Sequence, residues 1–184
     1  MKTPLLCSIL FSTTSVLGHT ENIKLNLPPG NYARQIDTRP LSDPSGTTHT
    51  RKEVKGKVVV AIFSAPNMSQ GGRQEKWSDL LATQPGTKIS PKVALFLVED
   101  MSQAGMFKGI ALDDMKKQFT PNSRPFLILD QDGSILRKFD VPRNQTAILI
   151  YDKRSQLRDV ETNLDDQDTT IHRIQVITTR LLEQ

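Results

Sequence analysis

Continuous apolar runs, each bounded by turn residues, predict a series of buried strands in this chain. Residues 58–63 and 92–98 are apolar almost throughout, as expected of strands that are covered on both faces of a sheet. Residues 22–27 alternate between polar and apolar side chains, which predicts a half-buried strand that ends at Pro28-Pro29-Gly30. Residues 31–50 are rich in Pro, Gly, Ser and Thr, and they predict a long irregular segment with one short strand.

Two similar units in the second half of the chain predict β-hairpins. In the first unit, the run 126–130 turns through Asp132-Gly133 into residues 134–139. In the second, the run 147–152 turns through residues 153–155 into 156–160. An Asp-Gly pair between two apolar runs is a strong local signal for a tight hairpin turn.

Helical spacing predicts three helices between and after these strands. The first helix is predicted at residues 72–82, with Trp77, Leu80 and Leu81 on one face. The second is a short helix at residues 110–118. The last helix is predicted to begin near Asp168, with Asp168 or Thr169 as its N-cap. The last helix carries one apolar stripe, made of Ile171, Ile174, Ile177 and Leu181. Strands that alternate with helices, followed by hairpins and a closing helix, predict one three-layer α/β/α domain.

The first eighteen residues have the pattern of a secretory signal. Lys2 supplies the positive charge, residues 5–17 form an apolar region too short to span a bilayer, and residues 16–18 offer a small-residue cleavage site. Cleavage after Gly18 would remove Cys7, the only cysteine, and leave a chain without thiol chemistry in an oxidising compartment. If Cys7 were retained, a lone thiol would be left for mixed disulfides. The sequence therefore predicts three parts of the chain: a signal peptide at residues 1–18, a strand with an irregular segment at residues 19–50, and the folded domain at residues 51–184.

Composition and charge exclude several classes of protein. The chain is 36% hydrophobic and 24% charged, which is typical of a soluble globular protein, and no later segment approaches transmembrane length. Its net charge of +4 is spread through mixed runs such as residues 51–55. Nucleic-acid readers usually concentrate basic residues on one stripe with stacking aromatics, so the pattern disfavours nucleic acid as a partner.

The order of these motifs resembles a known superfamily. The segment KVVVAIFSAPNMSQGGRQEKWSDLL at residues 57–81, followed by LILDQDG and LIYDKRS, resembles the thioredoxin-like superfamily on its peroxiredoxin-like side. More narrowly, AGMF at 104–107, PFLILDQDGSILRKFDV and TAILIYDKRSQLRDV resemble the YtfJ family of small bacterial periplasmic proteins, for which no activity is established. The resemblance covers residues 50–184 and implies a three-layer thioredoxin-like α/β/α sandwich with a mixed central sheet.

The chain departs from the superfamily where the redox chemistry would lie. One alignment of the active-site frame places Met68 and Gly71 at the two cysteine positions, and a second places Ser69 and Gly72 there. Neither alignment supplies a thiol. The proline that often precedes the later strand should fall near Gln145, but Pro142 lies three residues too early. The resemblance therefore implies the fold while the sequence disfavours thiol oxidoreductase activity.

A candidate ligand site lies between the strand at 58–63 and the helix predicted from residue 72. Free backbone N–H groups and the helix dipole favour an anion at such a place, and glycines permit close approach. A small anion or a peptide carboxylate is the predicted ligand, and a simple connecting turn is the alternative. The residues of this site are Asn67, Met68, Ser69, Gln70, Gly71 and Gly72.

Ser69 raises the alternative function, a cysteine-independent hydrolase. A nucleophilic serine needs a base and a group that orients it, and only His49 and His172 are internal histidines. No motif such as G-x-S-x-G surrounds Ser69. The leading prediction is therefore a non-catalytic protein that uses the fold as a scaffold for binding.

The connection after the second buried strand is the predicted contact surface for an unknown periplasmic protein. Met101, Met106 and Met115 cluster there, and methionine packs in cores as readily as it adapts to partners. Because residues 100–109 join a strand end to a helix, we predict that the partner contacts Gly105, Met106 and Phe107.

No cofactor or metal site is predicted. Asp130-Gln131-Asp132-Gly133 resembles the start of a calcium loop, but no Glu follows before Glu161 to supply the bidentate ligand, and a hairpin turn accounts for the motif. A new N-terminus at His19 would offer two ligands, which rarely suffice to bind a metal.

Overall fold

A computed structural model describes residues 41–137 and 145–184. The predicted signal, Cys7, His19, the strand at 22–27, Pro142 and the end of the first predicted hairpin lie outside the described residues.

In the part of the chain that the structure describes, seven strands form one mixed sheet in the order β2-β1-β5-β4-β3-β6-β7. The three central strands β3, β4 and β5 run parallel, whereas β6 is antiparallel to β3 and β1 is antiparallel to β5. The strand bounds are β1 Leu41–Ser42, β2 Thr48–His49, β3 Val59–Ser64, β4 Ala94–Asp100, β5 Phe126–Asp130, β6 Ala147–Tyr151 and β7 Leu157–Glu161. The predicted strands at 58–63, 92–98, 126–130 and 147–152 are confirmed, and the sheet begins before residue 51, the predicted start of the domain.

Within the described residues, four α-helices and three 3₁₀ helices lie between and after the strands. The α-helices are α1 Met68–Ala82, α2 Lys108–Gln118, α3 Ser134–Arg137 and α4 Gln167–Glu183. The 3₁₀ helices are Arg51–Val54, Met101–Gln103 and Gly105–Phe107. Asp166 caps α4, since its side chain accepts a hydrogen bond from the Thr169 N–H, so the helix begins slightly earlier than predicted.

One of the two predicted hairpins is wrong. The unit at 147–160 is confirmed, with β6 and β7 paired antiparallel. After β5, however, Asp132-Gly133 leads into helix α3, and β5 pairs with β1 and β4. Gly133 has φ of +63°, and a Cβ at this residue would lie 2.2 Å from Asp100 Oδ1. The Asp-Gly pair is therefore explained by a tight turn and a close approach to the Asp100 side chain.

The core lies on both faces of the sheet. Helices α1 and α4 cover the first face, where the predicted stripe of α4 is buried against residues such as Val60, Ile62 and Ile148. We call this the helix face. On the opposite face, Val59, Ala61 and Phe63 of β3 lie under the 3₁₀ helix Arg51–Val54 and α3. We call this the cavity face. Over residues 41–137 and 145–184, the molecule is a three-layer α/β/α sandwich whose second helical layer consists of the 3₁₀ helix Arg51–Val54 and α3.

Candidate functional site

The predicted ligand loop belongs to the first turns of helix α1. Asn67 is its N-cap, and the Asn67 Oδ1 atom accepts a hydrogen bond from the Gln70 N–H at 3.0 Å. Met68, Ser69, Gly71 and Gly72 therefore belong to the helix, so the predicted start near Gly72 is wrong. The two glycines suggested a loop, but a good N-cap and the buried face that follows stabilise the helix from Met68 onward.

Gln70 points inward from this helix end. Its side chain is 3% exposed, and its Oε1 atom accepts a hydrogen bond from the Ala65 N–H at 3.1 Å. Asn67 and Gly72 are exposed. The six predicted residues are thus contiguous on α1, but Gln70 stabilises the turn before the helix and is not presented to solvent.

A buried carboxyl lies where β4 meets β3 on the helix face. Glu99 is 6% exposed, and its Oε2 atom accepts a hydrogen bond from the Ser64 hydroxyl at 3.3 Å. Burial raises the pKa of Glu99 from its ordinary value of 4.5 to about 7, and the hydrogen bond from Ser64 and the nearby Gln74 amide oppose that rise in part. We call Ser64, Gln74 and Glu99 the Glu99 cluster. The sequence interpretation missed it, although Glu99 directly follows the apolar run at 92–98.

The proline that often precedes the later strand in the superfamily is expected near Gln145. In the structure, Gln145 and Thr146 directly precede β6. Thr146 is fully buried, and Gln145 Nε2 donates a hydrogen bond to the Thr162 carbonyl oxygen at 2.7 Å. The Arg124–Pro125 peptide is cis, but this bond precedes β5, which is separated from β6 by the two strands β4 and β3 in the sheet.

The two carboxyls of the calcium-like motif bond to the backbone of the following turn. Asp130 Oδ2 accepts a hydrogen bond from the Ile135 N–H at 3.0 Å, and Asp132 Oδ1 accepts one from the Ser134 N–H at 3.1 Å. Burial and the neighbouring carboxyls of Asp132 and Asp100 raise the pKa of Asp130 to about 6. Within residues 41–137 and 145–184, no group of three or more His, Cys, Asp or Glu is arranged to hold a metal ion.

The predicted partner surface is exposed. Met106 is 91% exposed, Phe107 is 64% exposed, and Ile110 on the first turn of α2 is 63% exposed. Their spacing of three and four residues places them on one side of the helical segment that runs from Gly105 into α2. We call Met106, Phe107 and Ile110 the Met106 patch. Met101, by contrast, is fully buried, so the predicted methionine cluster divides between core and surface.

A second site, which the sequence interpretation missed, lies on the cavity face. Here a cavity of about 90 Å³ opens between the 3₁₀ helix Arg51–Val54 and the sheet. Its walls are mainly apolar and include Val59, Ala61, Phe63, Phe96, Val98 and Ile128. His49 lies at its rim and contacts the edge of the Phe126 ring, with 4.8 Å between ring centroids.

His49 is held between two carboxylates. Its Nε2 atom lies 3.0 Å from Asp43 Oδ2, and its Nδ1 atom lies 2.7 Å from Glu53 Oε2. Burial acts to lower the pKa of His49, but the hydrogen bonds to Asp43 and Glu53 outweigh burial and raise it. Both partners are acceptors, so the doubly protonated ring satisfies both contacts. We call Asp43, His49 and Glu53 the His49 cluster.

The hydrogen bonds of His49 argue against its use as the base of a hydrolase. Both of its ring nitrogens are hydrogen-bonded within the His49 cluster, so this histidine is not available as a base for Ser69. His172 lies on the exposed side of α4. One of the two candidate bases is thus excluded by its contacts.

Comparison with known structures shows the fold. The chain is similar to the exposed lipoprotein thioredoxin Etrx1 of Streptococcus pneumoniae, with 19% identity and a TM-score of 0.55 over 79% of this chain and 98% of that one. It is also similar to a SCO1/SenC family lipoprotein of Bacillus anthracis, with 16% identity and a TM-score of 0.56 over 82% and 97% of the two chains. A secreted disulfide oxidoreductase of Mycobacterium tuberculosis matches with 20% identity and a TM-score of 0.52 over 74% and 94%.

These similarities confirm the predicted thioredoxin-like fold with a mixed sheet. No family model and no curated protein sequence matches the chain. Among the described residues, none of the helices combines the length and apolar character needed to cross a membrane.

Proposed function

We propose that this protein is a non-catalytic interaction module that binds a partner protein through the Met106 patch, in the periplasm. The observation that carries the proposal is the exposure of Met106, Phe107 and Ile110, which are the exposed large hydrophobic residues of the described chain. Contiguous exposed apolar side chains often mark protein–protein contacts. Helix α2, which follows directly, buries none of its own described residues, so the segment is not needed to complete the core.

The size of the Met106 patch predicts a transient complex. A stable interface of standard size involves about 20–30 residues on each side, whereas three side chains form only the centre of such a surface. Flexible methionine and a rigid aromatic ring together suit a partner that presents a shallow apolar groove.

A thiol-independent role is supported by the sequence. The only cysteine is Cys7, and the positions aligned with catalytic cysteines lie in the first turns of α1 without one. Export through the predicted signal, with cleavage after Gly18, is part of the proposal, as is the narrower likeness to the YtfJ family. The anion site at Asn67–Gly72 also stays a prediction, because a helix N-terminus alone does not identify a ligand.

Site-specific photocrosslinking in cells that export the full chain tests the proposal. A photoreactive residue in place of Phe107 should give a discrete adduct with one partner, and the same residue in place of exposed Lys76 on α1 should not. Ile110→Ser should weaken the Phe107 adduct while leaving the free energy of unfolding within about 0.5 kcal/mol of the wild type, as is usual for surface substitutions. Equal adducts from both positions would contradict the proposal.

The mass of the exported protein tests its location and its chemistry together. A mature chain that begins at His19 has lost Cys7 and cannot form a mixed disulfide. A mature chain that retains Cys7 would reopen a role in thiol exchange.

A further inference from the structure

The apolar cavity on the cavity face is bounded by secondary structure on several sides. Strands β3, β4, β5 and β6 contribute its floor, the 3₁₀ helix Arg51–Val54 lies across it, and Ile135 of α3 forms one wall. Each of these contributions is a side chain anchored on a sheet or a helix. The cavity is therefore built by the fold and does not depend on a loose surface loop.

The polar groups at the rim are bonded to one another or to the backbone. Both ring nitrogens of His49 are engaged by Asp43 and Glu53, and Glu53 Oε1 also accepts a hydrogen bond from the Thr50 N–H at 2.9 Å. Arg51 Nη2 donates a hydrogen bond to the Arg154 carbonyl oxygen at 3.3 Å. A charged ligand would lose much of its hydration among the apolar walls of this cavity, which is costly.

The size and the aromatic walls narrow the class of ligand further. The cavity of about 90 Å³ is smaller than an apolar cavity of ~150 Å³ that binds benzene in another protein, so it holds at most one small ring, part of which would lie in the open rim. Phe63, Phe96 and Tyr151 line the cavity and offer ring edges and faces to an aromatic guest.

We propose that the cavity between the 3₁₀ helix Arg51–Val54 and strands β3–β6 is a binding site for a small uncharged aromatic molecule of one ring. This site shares no residue with the Met106 patch and does not depend on it. Its apolar walls supply the binding free energy, and the cost of removing a charge from water among those walls disfavours charged compounds of the same size.

Methyl NMR on the full chain, with toluene as the probe and benzoate as its charged counterpart, tests the proposal. Toluene should shift the methyl signals of Val59, Val98, Ile128 and Ile135, which line the cavity, and should leave Ile62 and Ile148 on the helix face unchanged. Benzoate should bind at least tenfold more weakly. No shift at saturating toluene, equal shifts on both faces, or equal binding of benzoate would overturn the proposal.

A cavity-filling substitution gives a second test. Ala61→Leu adds its side chain into the cavity and should weaken toluene binding at least tenfold, whereas Ile62→Val on the helix face should leave the affinity unchanged. If Ala61→Leu proves unfolded, Ala61→Val serves as the smaller filler with the same expected direction. Toluene binding that survives in a folded filled variant would overturn the assignment of the site.

Discussion

The helix face and the cavity face of the sheet are covered in different ways. On the helix face, α1 and α4 lay whole apolar stripes on the sheet, and Trp77 and Ile174 are almost completely buried. On the cavity face, a single turn of 3₁₀ helix and the short α3 cover the strands, and a cavity separates them from the sheet. One face is covered by two long helices, while the other leaves room for a guest.

The two faces also differ in where their charged groups lie and in which elements those groups connect. The helix face buries the carboxyl of Glu99 and joins α4 to β7 through Arg173, which contacts Asp159 and Glu161. The cavity face places His49 between two carboxylates at the rim, where it connects the strand β2 to the 3₁₀ helix. The comparison indicates that stability is concentrated on the helix face, and that the cavity face is the better place to look for binding.

Arg173→Ala should have the largest effect on stability. Asp159 is fully buried and Glu161 is 5% exposed, so removal of the guanidinium takes a cation away from two buried carboxylates. We expect a loss of about 3–5 kcal/mol in the free energy of unfolding, measured by urea denaturation.

Arg73→Ala is the matched control for this prediction. Arg73 of α1 contacts Asp165 at 3.3 Å, but both side chains are largely exposed, so the expected loss is below about 1 kcal/mol. Equal losses for the two variants would show that the buried pair is not a major support of the helix face.

Glu99→Gln should change the pH dependence of stability. Because the pKa of Glu99 is raised in the folded state, folding favours the protonated form, and stability falls as pH rises from 4.5 to about 7. This difference corresponds to about 3 kcal/mol, at ~1.4 kcal/mol per pH unit. The variant should match the wild type near pH 4 and be more stable by about that amount at pH 8, as measured by urea denaturation.

Substitution of the exposed Glu75 by Gln is the control, since Glu75 lies on the solvent side of α1. Its pH profile should follow that of the wild type. Parallel profiles for Glu99→Gln and the wild type would contradict the assignment of the raised pKa to Glu99.

The His49 cluster should also make stability depend on pH. Because the pKa of His49 is raised, its contribution to stability is complete below 6.5 and is lost as pH rises through the higher value. Asp43→Asn and Glu53→Gln should each lower the pKa of His49, as followed by NMR of the ring protons. An unchanged pKa in both variants would show that the two carboxylates do not hold the imidazolium.

The sequence predicted the buried strands and the last helix well, because long apolar runs and a stripe at helical spacing are strong signals. It predicted a hairpin after Asp130 because Asp132-Gly133 usually marks one. In this chain the glycine is needed beside Asp100, a contact that only the folded chain brings together. It predicted the start of α1 too late because Gly71 and Gly72 concealed the N-cap at Asn67.

The sequence predicted the exposed Met106 and Phe107 surface but not the cavity, because only the first depends on residues that are close together in the chain. Exposed Met106 and Phe107 follow a strand end, which local sequence can indicate. The cavity is formed by residues from at least five separate elements, so no local pattern marks it. The His49 cluster left a partial signal, because Thr50 and Glu53 have capping-box spacing and His49 lies four residues before Glu53.

The most direct test of the contrast between the two faces is the free energy of unfolding of Ala61→Leu and Ala147→Leu, measured side by side by urea denaturation. Both alanines are buried on the cavity face, on adjacent strands, but only Ala61 lines the cavity. Overpacking should cost Ala147→Leu about 1–3 kcal/mol, while Ala61→Leu should be neutral or stabilising because its side chain fills existing space. Equal destabilisation of the two variants would show that the cavity face is as closely packed as the helix face and would contradict the account.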